Sequence, residues 1–248
     1  MSNSKSEVLK NLKQIMLDID GEPSIPLYFR EDSSDEDVLH QIFNRQYYDL
    51  TRLDRYIDIY DNYQKIITSN RTPLIIDCGA NIGASSIWFA KSFPKAKIFA
   101  LEPEKNNYNI LCMNCSVHTQ NIICENAAVS CIDETLYLQD PGLGHWGFRT
   151  NMKLGLNGIP VRAVSIESIE KLFPESDLFI VKIDIEGGES RLFESNLTWV
   201  SRTIVIIIEL HDRLFLRSAN SQNCLKALSE HPRDIFFSGE NILSIRND

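Results

Sequence analysis

The chain lacks any apolar run near the roughly 18 to 20 residues that a membrane-crossing helix needs. Its most apolar window, TIVIIIEL at Thr203–Leu210, has the length of a strand. The opening stretch, MSNSKSEVLKNLKQIMLDID, lacks the continuous apolar segment and small-residue cleavage site of a secretory signal, so the expected compartment is the cytoplasm, without membrane insertion. Cationic excess is missing too. Lys and Arg number 25 against 34 Asp and Glu, for a net charge of -9, which weighs against nucleic acid or anionic lipid as a partner. A second cysteine pair at zinc-site spacing is absent. Cys112-x-x-Cys115 stands alone, and Tyr108, Leu111, Cys112 and Cys115 fall at i, i+3, i+4 and i+7 of one expected helix. That pattern reads as reduced core thiols rather than a metal site. Repeats and low-complexity tracts are also missing.

What is present is a globular composition: 248 residues, 43% hydrophobic and 24% charged, enough for one large or two small domains. Residues 1–70 read as a helical cap or extension. A first helix is expected near Ser6–Asp18, then a Pro-containing connector, then a helix opening at the Ser34-x-x-Asp37 capping pattern, and another over Asp54–Ser69. From Pro73 the rhythm changes. LIIDC, a helix over Ile82–Ser92, KIFALE, a helix from Glu104 to about Val117, and IICENAAV alternate at the spacing of βαβ units. ETLYLQ, DPGLGHWGFRT and IPVRAVSI suggest a small antiparallel excursion. DLFIVKID, a helix at EGGES, RTIVIIIEL and a helix near Ser221–Glu230 resume the alternation, and DIFFS and ILSI close as a hairpin across Gly239-Glu240-Asn241. The expected fold is therefore α/β: a Rossmann-like, mostly parallel sheet over residues 71–248 with a C-terminal antiparallel hairpin and an N-terminal helical cap.

Ligands of open parallel sheets bind beyond the carboxyl ends of the strands, and the loop after the first strand usually lines the crevice. That loop is Asp77–Gly83 in LIIDCGANIGAS. Gly79 and Gly83 clear side chains where the backbone turns tightly, and Asn81 stands where a helix N-cap is expected. Without a ligand, the same glycines would serve a plain strand-to-helix turn. Glu102 ends the second strand, 19 residues after Gly83, where an acid can accept both ribose hydroxyls. The pattern D-x-G-x-N-x-G lacks the third glycine of a pyrophosphate-binding loop, and Asp77 suits a ligand with positive charge. S-adenosylmethionine has a ribose, an ammonium and a sulfonium, and no phosphate.

With IIDCGANIGASS, LEPEKNNYNIL followed by Asn114, NAAVS, VKIDIEGGE and IIIELH in that order, the chain resembles the FkbM-type S-adenosylmethionine-dependent methyltransferases over roughly residues 73–211. Gly188 stands where that family more often has alanine. The resemblance implies that Asp77, Gly79, Asn81 and Gly83 cradle the amino acid end of the cofactor. It further implies that Glu102, with Pro103 beside it, holds the ribose, and that Asn126 and Ala127 flank the adenine.

Methyl transfer from a sulfonium needs alignment and, for a hydroxyl acceptor, a base. Asp184, at the end of the fourth strand, is expected to face the methyl group or the cofactor's amine. His211 is the leading candidate base, with Glu209 and Glu186 behind it; Glu186 and Glu189 also suit a helix N-terminus by charge alone. Asp184, Glu186 and Glu209 could instead hold magnesium or calcium. The resemblance does not call for it, and no metal is expected. His145, Trp146 and Arg149 are candidates for an acceptor loop. The expected activity is O-methylation of a saccharide or related polyhydroxylated metabolite, acting on a small-molecule or glycan acceptor, with a homodimer as one assembly. A nicotinamide-dependent oxidoreductase and a non-catalytic module retaining the fold are the alternatives.

Overall fold

The computed structural model describes residues 12–17, 25–31, 33–118, 121–139, 149–151 and 158–247. Five parallel strands form the centre of its main sheet: β3 (Thr72–Cys78), β4 (Lys97–Leu101), β5 (Ile122–Glu125), β10 (Ser176–Ile183) and β11 (Val205–Glu209). The hairpin of β12 (Arg233–Ser238) and β13 (Asn241–Arg246) adds two antiparallel strands, giving the order β12-β13-β11-β10-β3-β4-β5. Strand order reverses between β3 and β10, which pair in parallel. Their β-branched runs are buried on both faces, as a sheet covered by helices on each side requires. β6 (Ala128–Ser130), β7 (Glu134–Gln139), β8 (Arg149–Asn151) and β9 (Ile159–Ser165) make the second, mostly antiparallel sheet. The expected excursion is thus present. IICENAAV is two strands instead of one, broken at Asn126-Ala127, where the Ala127 N–H turns back to the Glu125 carbonyl.

The N-terminal region departs from expectation. Leu12–Leu17 is a strand, β1, paired antiparallel with β2 (Ile25–Arg30), where a helix and a connector were expected. Residues 6–11 of the expected helix lie outside the described residues, as do His145 and Trp146, and nothing is described of the Arg149 side chain. The physical cause is a long-range anchor. Asn114, buried on the helix Lys105–His118, accepts the Tyr28 N–H at 2.7 Å and donates to the Tyr28 carbonyl at 2.9 Å and the Ile82 carbonyl at 2.8 Å. An amide that satisfies both backbone groups of Tyr28 holds β2 extended against that helix.

The helix expected from Ser34 forms over Ser34–Leu39, capped by Ser33, and runs on as a π-turn over His40–Asn44. The helix Tyr56–Thr68 buries Ile59, Tyr63 and Ile66, one stripe at i, i+4 and i+7. Leu27, Ile42, Ile59 and Tyr63 share one apolar cluster with Ile75 and Ile180 of the main sheet. The described part of the first 70 residues therefore packs on the sheet's own core. All six cysteines are unpaired thiols, and Cys115 is buried on the helix stripe.

Candidate active site

The carboxyl ends of β3, β4, β10 and β11 open onto one cavity of about 360 Å³. Gly79, Asn81, Glu102, Pro103 and Ala127 line one half; Asp184, Glu186 and Glu209 line the other; and Val38, His40 and Gln41 of the N-terminal segment roof it. Gly79 has φ +79°, and a Cβ there would stand 1.8 Å from the Asp184 carbonyl oxygen. This glycine lets the ends of the two switch-point strands touch. Gly83 acts elsewhere. With φ +92° it opens the helix Ala84–Ser92, and a Cβ there would meet Leu111 Cδ1 at 2.8 Å. It packs helix on helix and does not line the cavity. Asn81 is not the N-cap, a place taken by Gly83; it sits in the left-handed region at φ +50° with its Oδ1 buried and without a hydrogen-bond partner among the described residues.

Glu102 takes the Asn81 N–H on Oε2 and the Glu104 N–H on Oε1, each at 2.9 Å. Burial pushes its carboxyl up to about 7, against the pull of those two N–H donors. Each oxygen keeps a lone pair for a further donor. Asn126 donates to the Glu102 and Pro103 carbonyls at 2.9 and 3.0 Å, fastening the turn after β4 instead of facing the cavity. Asp77 also lies beneath the floor. Fully buried, it accepts from the Ser85 and Ser86 hydroxyls at 2.6 Å and pairs with Lys182 Nζ at 3.3 Å.

Lys182 has no place in the sequence expectations, which single out only Asp184 within VKIDI. Its ammonium donates to the Gly79 carbonyl at 2.7 Å and stands 3.7 Å from Asp184 Oδ2. Burial alone would push it down, yet Asp77, Tyr48 and Asp184 together hold it above its ordinary range. It joins the ends of β3 and β10 by charge where Gly79 joins them by shape.

At the cavity's other end lies His211, fully buried just past β11. Its Nδ1 meets Glu189 Oε1 at 2.8 Å, and the other Glu189 oxygen accepts from Asn220 at 2.8 Å. Its Nε2 stands 3.4 Å from Glu209, 3.6 Å from Glu186 and 3.7 Å from Asp184 carboxylate oxygens, ion-pair distances without a hydrogen bond. Burial opposes its charge, but Glu189, Glu209 and Asp184 outweigh that and push the imidazole up to about 11. The expected titration near neutrality is therefore not what this pocket supports. Burial pushes Glu186 up to about 7 despite the favourable pull of His211, while His211 and Arg213 hold Glu209 below its usual range against the effect of burial. Glu186 and Gly187 adopt φ +52° and +102°, which turns the chain so that the Glu186 side chain reaches Nε2. The Phe215 ring occupies the space that a Cβ on Gly187 would take.

The sequence model of the methyltransferase FkbM domain matches residues 77–231. The chain belongs to the FkbM methyltransferase family. Methyltransferase sdnD of Sordaria araneosa is 33% identical over 76 residues, which cover 29% of each chain. The match thus spans less than a third of that relative's length. Among solved structures, the chain is similar to precorrin-6y C5,15-methyltransferase from Geobacter metallireducens (14% identity, 75% of this chain and 84% of that one, TM-score 0.38). It is also similar to a methyltransferase from Geobacter sulfurreducens (12% identity, 88% and 93% covered, TM-score 0.38). S-adenosylmethionine is the cofactor of this FkbM methyltransferase, and the cavity's residues fit it. The free acceptor atom of Asn81 and the carboxylates of Glu102 and Asp184 suit a ligand rich in donors and positive charge. Family membership also sets the nicotinamide alternative aside.

Proposed function

We propose that the protein methylates a hydroxyl of a saccharide or related polyhydroxylated metabolite. The observation that carries this reading is the cavity's acceptor half. Glu186, Glu209, Arg213, Glu240, His40 and Gln41 line it, and among the described residues no Phe, Tyr or Trp does. Such a wall of charged and polar groups matches a ligand made of hydroxyls.

In this reading Glu102 takes the ribose hydroxyls, Pro103 and Ala127 bound the adenine, and Gly79 and Asn81 meet the amino acid end. Asp77 and Lys182 support that loop from beneath. The cofactor supplies the activated methyl group. Asp184, which opens onto the cavity between the two halves, faces the site of transfer. The acceptor hydroxyl gives its proton to the carboxylate cluster of Asp184, Glu186 and Glu209 as its oxygen attacks in line. His211, charged in this pocket, has no lone pair to offer as a base and holds those acids in position.

Incubation with methyl-labelled S-adenosylmethionine and a panel of saccharides, polyols, phenols and amines tests the assignment. Label found as a methyl ether on a polyol is the expected result. Label confined to amines or phenols would replace this reading.

A further inference from the structure

The ring of His211 is fixed by its neighbour. Glu189 is fully buried, its Oε1 lies 2.8 Å from Nδ1, and its other oxygen is taken by Asn220. An ionised carboxylate only accepts, so Nδ1 carries the hydrogen, and in the neutral ring the Nε2 lone pair points at the carboxylates of Asp184, Glu186 and Glu209. A lone pair facing three carboxylates repels them unless something positive lies between. In the ion-free pocket a proton on Nε2 takes that place at ion-pair distances of 3.4, 3.6 and 3.7 Å, longer than a well-formed hydrogen bond, and a metal ion would displace it. Nε2 and Glu186 Oε2 both remain buried without a hydrogen-bond partner among the described residues.

Those separations suit a shared ion. Two donor atoms each about 2.1 Å from one metal lie roughly 3.0 to 3.4 Å apart in octahedral or tetrahedral geometry, and a flexible carboxylate closes the small remaining gap. One donor atom each from Asp184, Glu186 and His211 lies within 4.8 Å of the others. We infer that Asp184, Glu186 and His211 Nε2 form a binding site for one divalent transition-metal ion at the acceptor end of the cavity, with Glu189 orienting the histidine. One imidazole with two carboxylates favours an ion such as Mn²⁺ over magnesium or calcium, which prefer oxygen alone. The Glu189–His211 bond is the usual outer support of a metal-bound imidazole, setting its tautomer and raising its basicity.

An ion bound here would run against the expectation that no metal is needed. Its consequence for catalysis rests on the acceptor reading above: an ion here would bind the acceptor hydroxyl, lower its pKa and leave Glu209 as the nearby carboxylate to take the proton. Its existence does not depend on the acceptor.

The test is titration of the chelator-treated 248-residue chain with Mn²⁺, following free Mn²⁺ by electron paramagnetic resonance, with parallel titrations of Zn²⁺, Mg²⁺ and Ca²⁺ by calorimetry. The expected result is one saturable Mn²⁺ site per chain, weakened at least tenfold by His211→Gln and by Glu186→Gln. S-adenosylhomocysteine affinity, measured on the same samples, should persist in both variants and so show that the fold is intact. Absence of saturable Mn²⁺ and Zn²⁺ binding, equal binding in native protein and variants, or preference for Mg²⁺ or Ca²⁺ would overturn the proposal. Protein that binds Mn²⁺ but methylates no hydroxyl keeps this site and loses the acceptor assignment.

Discussion

His211 Nδ1 and Glu189 Oε1 meet at 2.8 Å where neither side chain reaches solvent. Each residue solves the other's burial problem, since a buried carboxylate and a buried imidazole are both costly alone. Glu189→Gln keeps the shape and removes the charge. It should lower turnover about tenfold while S-adenosylhomocysteine affinity stays unchanged. Glu189→Ala also leaves Asn220 and Nδ1 unpaired, and should cost a further 1 to 3 kcal/mol or so in urea denaturation. Unaltered turnover in Glu189→Gln would mean that the pair serves packing alone.

Glu102 makes cofactor binding depend on pH. Its carboxyl is pushed up to about 7 in the folded protein, and ribose hydroxyls donate best to the ionised form. Affinity for S-adenosylhomocysteine should therefore rise as pH increases through about 7, with a proton released on binding near pH 6.5. Calorimetry in buffers of different ionisation enthalpy reads that proton, and Glu102→Gln should abolish its release and weaken binding. For folding the sign runs the other way. A carboxyl raised from its ordinary 4.5 to about 7 in the native state leaves the unfolded chain with fewer bound protons in that window. Its contribution to stability is whole below 4.5 and declines as pH rises through about 7.

Lys182→Met removes the cation that Asp77 faces at 3.3 Å. An uncompensated buried carboxylate remains, and the loss should be about 3 to 5 kcal/mol by chemical denaturation. Asp77→Asn added to Lys182→Met should recover a large part of it, because the two residues form one charge pair. Strict additivity of the two single losses would show that they do not couple.

The two loop glycines should separate in assay. Gly79→Ala places a Cβ 1.8 Å from the Asp184 carbonyl oxygen at a left-handed φ, and should abolish cofactor binding or soluble expression. Gly83→Ala strains a backbone at φ +92° and meets Leu111 Cδ1 at 2.8 Å and Cys115 Sγ at 3.4 Å, neither of which lines the cavity, so it should lower the melting temperature yet retain measurable S-adenosylhomocysteine binding. Equal behaviour of the two would contradict the division of labour between them.

The parallel sheet was legible because LIIDC, KIFAL and DLFIVKI are short β-branched runs spaced by helical patterns, and a buried strand leaves little room for any other reading. β1 was not legible. LKQIML exposes Ile15 and Met16 and buries Leu17, a pattern without strict alternation, and its extended form depends on β2, which Asn114 holds from 86 positions away. Local sequence carries no trace of such a contact. The helices Ile166–Leu172 and Thr198–Arg202 are too short to establish a period. At the site, Asp184, Glu209 and His211 stand out as polar residues at strand ends, and Glu186 as an acid at the start of the helix that follows Asp184. Lys182 did not, since alternation along VKIDI does not say that its ammonium curls back to the Gly79 carbonyl. Asp77 stands out in the sequence as the acid ending the first strand, but spacing alone does not show that the same lysine pairs with it beneath the floor.

The roof of the cavity is fastened from the far end of the chain. Ser238 Oγ donates to the Tyr47 carbonyl at 2.8 Å, and Gly239 packs so closely under the Tyr47 ring that a Cβ would stand 2.5 Å from it. Arg55 reaches Asn247 at 2.7 Å. The N-terminal and C-terminal segments are thus two halves of a clasp, and both lie outside residues 77–231, the stretch shared with the family. The shared stretch supplies Asp184, Glu186 and Glu209 to the cavity, while the clasp holds the roof of Val38, His40 and Gln41 above them. Exchanging both halves together between relatives would transplant the shape of the acceptor chamber, whereas exchanging either half alone would leave it unlatched.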